Sequence, residues 1–330
     1  MGRSIRAAAA AVWLGLLLTV PALAAEPETL VPVGRTVGLE LETDGIYVVS
    51  FEGGDGGSPA EAAGLRVGDR ILAADGQTLT RAEELRDRAA RSEGEAVILD
   101  VERNGRAMQF AVRPAARDGT WVLGLRVRDR IAGLGTVTFY DPDTGLFGAL
   151  GHGVGGGEVP LEIRGGVAAE TEVTGVRRGE AGTPGTLLGQ AVGGETLGIV
   201  EQNTDRGLFG RGDPEALAGQ AVPLADPAEV TAGPAELWCS VTGDEAVAYA
   251  VEIEAVRFDP EHCRDLRLVV TDPRLLERTG GIVQGMSGSP ILQNGKLVGA
   301  VTHVLVRDPT RGYGILIGHM LEAAEGAKAA

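Results

Sequence analysis

The sequence predicts a mainly β protein in two parts, a small α+β unit followed by an all-β sandwich or barrel. Three observations carry that expectation. Fifty-one glycines punctuate short apolar runs along 330 residues, a length sufficient for two separate cores. Asn-Gly or Asp-Gly pairs stand between apolar runs, as at Asn294-Gly295, the strongest short-range signal for a hairpin. From Trp121 onward helical periodicity is almost absent. A hydrophobic fraction of 44% and a charged fraction of 23% are ordinary for a globular protein. The net charge of −16 argues against nucleic acid, and against binding anionic membrane through a basic patch.

Residues 1–25 read as a leader. Arg3 and Arg6 precede an apolar run from Ala7 to Val20, and Ala22-Leu23-Ala24 is an A-x-A cleavage site. An exported protein is expected, with an uncleaved anchor as the alternative that would leave it membrane-tethered. Two cysteines, Cys239 and Cys263, are permitted a disulfide in that compartment. No His pair stands near them at zinc-ligand spacing, and neither a metal nor an organic cofactor is expected.

Residues 31–115 form the first unit. Val37–Leu41 and Ile46–Val49 are two short strands around Thr43-Asp44-Gly45. Ser58 is an N-cap, Pro59 suits the first helical position and Gly64 the helix end. A strand and an Asp75-Gly76 turn follow. A second helix covers 81–91, with Leu85 and Ala89 on one face, before a hairpin turning at Asn104-Gly105. The order SPAEAAGLRVGDRILAADG, helix, hairpin resembles a PDZ domain of the bacterial protease type. That resemblance implies binding of an extended peptide at a sheet edge, with its carboxylate on Val37-Gly38-Leu39.

Residues 121–330 carry short strand-like runs with turns. Near their end, Gly285-Met286-Ser287-Gly288-Ser289-Pro290 places one serine between two glycines, ahead of the Asn294-Gly295 hairpin. An uncovered hydroxyl with free backbone N–H groups is what a nucleophile requires, and Gly285 and Ser287 are the natural oxyanion donors. Of four histidines, His152 stands between Gly151 and Gly153 after an apolar run, in the His-then-Ser order of one known triad arrangement. Three residues could orient that base: Asp205, Asp244 and Asp272, of which Asp205 has the best generic spacing. His303 and Thr302, on the strand after the nucleophile hairpin, are expected in a substrate subsite. His262 and His319 read as peripheral. The serine segment and its GxV strand resemble those of chymotrypsin-like peptidases, which implies a double β-barrel. Met286 stands where trypsin-like chains have an aspartate, so activation by a new N-terminal ammonium has no partner here.

A PDZ-like unit followed by TVTFYDPDTGLFGALGH, and later by TDPRLLERTGGIVQGMSGSPILQNGKLVGAVTHVLVRDPTRGYG, is similar to the SpoIVB peptidase family. The resemblance implies a serine endopeptidase acting between mother cell and forespore, with His152 as base, Ser287 as nucleophile and Asp272 as third member. It also implies self-cleavage, and cutting of a membrane-complex partner that restrains an intramembrane protease. A catalytically silent PDZ scaffold that binds a membrane protein is the alternative.

Overall fold

Two strands of sixteen residues each tie the chain together. In the computed structural model, which describes residues 29–53, 57–155, 160–257 and 259–326, β1 (Thr29–Pro32) leads into β2 (Thr36–Phe51). Two strands are expected over this stretch, and one is found. The Thr43-Asp44-Gly45 segment kinks β2 without reversing it. The Thr43 hydroxyl donates to the Gly45 carbonyl, Asp44 N–H donates to the Glu162 carbonyl, and Gly45 takes a φ of 84°. The small unit then follows: α1 (Pro59–Ala62), β3 (Arg70–Ala74), β4 (Gln77–Thr78), α2 (Ala82–Ala90), β5 (Val97–Arg103), β6 (Arg106–Val112) and a hairpin of β7 (Ala115–Arg117) with β8 (Thr120–Val122). Ser58 caps α1 by accepting from Glu61 N–H. The Glu84 carboxylate closes the start of α2 by accepting from the N–H groups of Thr80 and Arg81.

The second long strand, β9 (Leu125–Tyr140), returns alongside β2 from Phe51↔Leu125 to Thr36↔Thr136. The leucine, isoleucine and valine side chains of Ile46, Val48, Ile71, Leu85, Leu99 and Val101 form the PDZ core. Val37, Leu39 and Leu41 belong to a different core, with Val137, Phe147, Leu197 and Leu208. The cores therefore divide within β2, near Gly45. Residues 31–45 pack with the second part of the chain rather than in the 31–115 unit.

After β9 come β10 (Leu146–Ala149), β11 (Ile163–Arg177), β12 (Thr186–Thr204), β13 (Gly207–Gly212) and β14 (Val222–Pro223). The order β9-β10-β13-β12-β11-β2, closed by β2–β9 pairing, makes the first barrel. A second closed barrel, β15-β16-β17-β20-β19-β18, is built from β15 (Gly233–Cys239), β16 (Val247–Val256), β17 (Leu266–Val270), α3 (Pro273–Thr279), β18 (Pro290–Gln293), β19 (Lys296–Val304) and β20 (Arg311–Leu316). The final helix, α4 (Ile317–Gly326), sets Ile317, Met320 and Leu321 against Phe139 and Phe209 of one barrel and Leu297 and Ile315 of the other. The mainly β expectation, a PDZ unit before a chymotrypsin-like double barrel, is met.

The Val37-Gly38-Leu39 expectation is corrected here. Gly38 is paired on both sides, to Leu134 of β9 and to Ala169 of β11, so its backbone has no free groups for a carboxylate. The cysteines are free thiols in separate cores. Burial pushes both up, Cys263 to about 11. The expected leader at 1–25 lies outside the described residues.

Candidate active site

The serine turn is pinned between the barrels. Thr136 of β9 donates its N–H to the Ser287 carbonyl at 2.9 Å and its hydroxyl to the Gly285 carbonyl at 2.8 Å; the Thr138 hydroxyl donates to the Gly288 carbonyl at 2.7 Å. On the other side Gly288 N–H donates to the Val301 carbonyl of β19. Gly288 has a φ of 94°, and a Cβ there would stand 2.1 Å from the Thr136 carbonyl oxygen. No other residue fits. Met286 is wholly buried in the second barrel's core, which explains an apolar residue before the serine. Those contacts spend the carbonyls of the turn and leave the N–H groups of Gly285 and Ser287 without a partner among the described residues. The Ser287 hydroxyl donates to the Thr302 carbonyl at 2.9 Å.

Ser287 and His152 line one cleft of about 470 Å³. Its walls are Leu39, Leu41, Ile131, Leu134, Val283 and Val306, among others, and among the described residues His152 and His303 are its titratable side chains. Leu39, expected in a peptide-binding loop, is thus a wall of this cleft. His152 Nδ1 lies 2.9 Å from the Gly153 carbonyl. A carbonyl can only accept, so Nδ1 carries the proton and Nε2 keeps its lone pair. Burial lowers the His152 pKa from its ordinary value, with the Gly153 bond opposing. The loop after the base is held by Asn203. Its Oδ1 accepts from Val154 N–H, and its Nδ2 donates to the carbonyls of Val154 and Leu161. Asn203 escapes sequence reading because an Asn in a QNTD turn signals only a reversal.

His303 packs against His152 with ring centroids 5.2 Å apart. Its Nδ1 is buried with no hydrogen-bond partner among the described residues. Burial, then His152 and Arg264, push it down to about 4. Thr302 lines the cleft, but its hydroxyl donates away from it, to the Cys263 carbonyl at 2.7 Å.

The carboxylates do not gather at the base. Asp272 caps α3, accepting from Arg274 N–H, from the Arg274 guanidinium and from Ala250 N–H. The Arg274 guanidinium holds its carboxyl well below the usual carboxylate range. Asp272 does not line the cleft and makes no hydrogen bond to His152. Asp205 lies closer: its carbonyl accepts from Gly153 N–H, and it lines a small side pocket with His152, yet its side chain is 59% exposed and turned to Arg206. Asp244 contributes its backbone carbonyl to the Ser240 hydroxyl. His319 bonds the buried Asp265, and the exposed His262 bonds Asp259.

A second groove, of about 730 Å³, runs between α2 and the β8–β9 segment, lined by Leu85, Ala89, Trp121, Leu123 and Val127. At its head Gly124 has a φ of 70°. Its carbonyl accepts from Glu52 N–H and the Ser58 hydroxyl, while the N–H groups of Leu123 and Gly124 donate to nothing among the described residues. This turn, not Val37–Leu39, presents free donors to the PDZ unit. The Leu123-Gly124-Leu125 string was the sequence signal for it.

A model of the SpoIVB peptidase S55 matches residues 119–321, and a PDZ model matches 51–103. The chain belongs to the SpoIVB peptidase S55 family. A PDZ domain precedes its SpoIVB peptidase S55 region. A DegP-like periplasmic serine endoprotease of Chlamydia muridarum (strain MoPn / Nigg) is 40% identical over 78 residues, 24% of this chain and 15% of that protein. A Lactococcus lactis subsp. lactis (strain IL1403) protein carrying a zinc-metalloprotease name is 30% identical over 150 residues, 44% of this chain and 34% of that protein. The chain thus spans about a third or less of the length of these relatives. The PDZ domain of an SdrC-like protein from Listeria monocytogenes is 28% identical, with a TM-score of 0.23, covering 26% of this chain and 90% of that one.

Proposed function

We propose that this SpoIVB-family peptidase is an endopeptidase in which Ser287 is the nucleophile and His152 its base, working as a pair. The Ser287 hydroxyl swings from the Thr302 carbonyl to His152 Nε2 and gives up its proton as Oγ attacks the scissile carbonyl. The N–H groups of Gly285 and Ser287 receive the oxyanion, each donor lowering the barrier by roughly 3 kcal/mol. His152 then protonates the leaving amine, and water repeats the cycle on the acyl-enzyme. The Gly153 carbonyl does the orienting that a carboxylate does elsewhere. The free N–H pair of Gly285 and Ser287, sharing a cleft with an imidazole whose Nδ1 proton is fixed, carries this reading. The cleft walls favour an apolar residue at the cut.

Self-cleavage, and cutting of a membrane complex that restrains an intramembrane protease, are the proposed roles. Family membership supports them, with action between mother cell and forespore after export on the 1–25 leader. A fluorophosphonate probe tests the chemistry: the wild-type chain labels, and Ser287→Ala and His152→Ala do not. The second reading, a silent scaffold, is favoured by the Ser287 hydroxyl being spent on Thr302. A wild-type chain that does not label would favour it, and equal labelling of wild type and Ser287→Ala would refute the nucleophile assignment.

A further inference from the structure

His152 and His303 come from different barrels, and the fold brings their rings together. His152 follows β10 of the first barrel, and His303 lies in β19 of the second. Their ring centroids are 5.2 Å apart, with the planes inclined by 37°. Both rings line the cleft beside Ser287, and both line the side pocket of about 170 Å³. Each also keeps one nitrogen to which nothing is bound. His152 gives its Nδ1 proton to the Gly153 carbonyl, which leaves the Nε2 lone pair free. His303 Nδ1 is buried, and among the described residues no acceptor stands within reach of it. With the His303 proton on Nε2, Nδ1 is a second free lone pair. Two imidazoles that share one tetrahedral zinc, with Zn–N bonds of about 2.0–2.1 Å, hold their ring centroids roughly 5 Å apart. The observed separation matches, so bringing the two rings onto one ion requires no backbone movement. Nothing in the surroundings repels a cation. Among the described residues no Lys or Arg lines the cleft; Arg264, beside His303, is drawn over the Tyr313 ring at 5.1 Å. A net charge of −16 favours cations near the surface.

We infer that His152 Nε2 and His303 Nδ1 together form an inhibitory site for Zn²⁺, straddling the two barrels at the catalytic cleft. Among the described residues no third His, Cys or carboxylate gathers with the pair, so water completes the coordination and the ion exchanges freely. Bound there, zinc occupies the lone pair that would accept the Ser287 proton. The imidazole then has no basic nitrogen, hydrolysis stops, and a chelator restores it. Zinc acts here as an inhibitor and enters no step of the cleavage. Mg²⁺ and Ca²⁺ prefer oxygen ligands and leave the pair alone. The site stands on the two rings by themselves, whereas its inhibitory consequence rests on the peptidase reading.

Titration calorimetry of ZnCl₂ into the full-chain Ser287→Ala protein measures binding without hydrolysis, and fluorophosphonate labelling of wild type reads inhibition. Zinc should bind Ser287→Ala and, at saturation, slow wild-type labelling by about 10²-fold or more. EDTA should restore the rate, and Mg²⁺ and Ca²⁺ should have no effect. Loss of a residue that merely supports a metal ligand costs about 10–100-fold in affinity. His303→Phe keeps a ring against His152 but removes both nitrogens, so it should cost at least that. Its effect on binding is read in the Ser287→Ala chain, and its effect on inhibition against its own zinc-free rate. Undiminished zinc binding after either His303→Phe or His152→Ala would overturn the proposal, as would equal inhibition by Ca²⁺. Zinc that binds through both histidines yet leaves wild-type labelling unslowed would overturn the inhibition. A wild type that never labels, with zinc binding still dependent on both histidines, would support the site and refute the peptidase reading. Should a histidine variant fail to fold, diethylpyrocarbonate modification of the Ser287→Ala chain, read by mass spectrometry, decides instead. Zinc should shield His152 and His303, and equal modification with and without zinc would overturn the site.

Discussion

Replacing Asp272 by asparagine should cost stability and leave turnover nearly intact. The carboxylate accepts from Arg274 N–H at 2.9 Å, Arg274 Nε at 3.1 Å, Arg274 Nη2 at 2.8 Å and Ala250 N–H at 3.1 Å. Asparagine keeps one acceptor oxygen and turns an NH₂ group toward donors. The ion pair is a small part of the loss, because the Arg274 side chain is 64% exposed. The N-cap contributes about 1 kcal/mol, and leaving Ala250 N–H unpaired costs about 1–3 kcal/mol. A loss of roughly 1–3 kcal/mol overall lowers Tm by several degrees in a domain of this size. The depressed carboxyl stabilises the fold above its unfolded pKa of 3.8, and that contribution disappears as pH falls below it. The melting temperatures of wild type and Asp272→Asn should therefore converge in acid. Loss of an orienting acid would lower kcat by about 10⁴. Peptide hydrolysis measured well below Tm should instead change by less than about tenfold. A variant that melts like wild type but turns over a thousandfold more slowly would refute the dyad and bring Asp272 to His152.

Thr136→Val preserves shape but leaves the buried Gly285 carbonyl unpaired; it should cost about 1–2 kcal/mol in denaturant unfolding and slow fluorophosphonate labelling, with wild-type labelling rates as the contrary result. Asn203→Ala removes three bonds that hold the loop after the base, so kcat/KM should drop about 10–100-fold while the labelled residue remains Ser287. Both His152 and His303 have pKa values below the ordinary 6.5, so kcat/KM should stay level from about pH 8 to below 6.5 and decline only in more acid solution. The unfolded chain takes up these protons near 6.5, and His303 in the folded chain only near 4. Tm should accordingly fall as pH drops through that window, and fall less in His303→Asn.

Turns whose chemistry is local were readable. Asn294-Gly295, Asn104-Gly105 and Asp75-Gly76 all adopt the paired positive φ values that such dipeptides favour. The serine turn was readable for the same reason, since Gly285 and Gly288 sit at positive φ on either side of the half-buried Ser287. Thr43-Asp44-Gly45 was not, because a kink and a reversal use the same residues and differ only in which strands lie alongside. That one ambiguity displaced both the domain boundary and the peptide-binding loop. Asp272 offered two signals at once. Asp-Pro before an apolar helix is an N-cap pattern, and that local role is the one the structure assigns. Asn203 acts through backbone groups distant in sequence, which no local pattern encodes.

Glu42 and Arg130 face each other across the β2–β9 ladder and are joined by an ion pair at 3.0 Å. Everything between them is an insertion into what would otherwise be one hairpin of the first barrel. The PDZ unit is therefore moored by two chains side by side rather than hung on a linker. A single tether would let it swing and lose any pull as slack, whereas a two-stranded ribbon resists bending in its own plane and yields mainly in twist. Thr136 and Thr138, which hold the serine turn, sit on the same strand just beyond the mooring. Mechanical load on the PDZ unit is thus delivered to the nucleophile as torsion of β9.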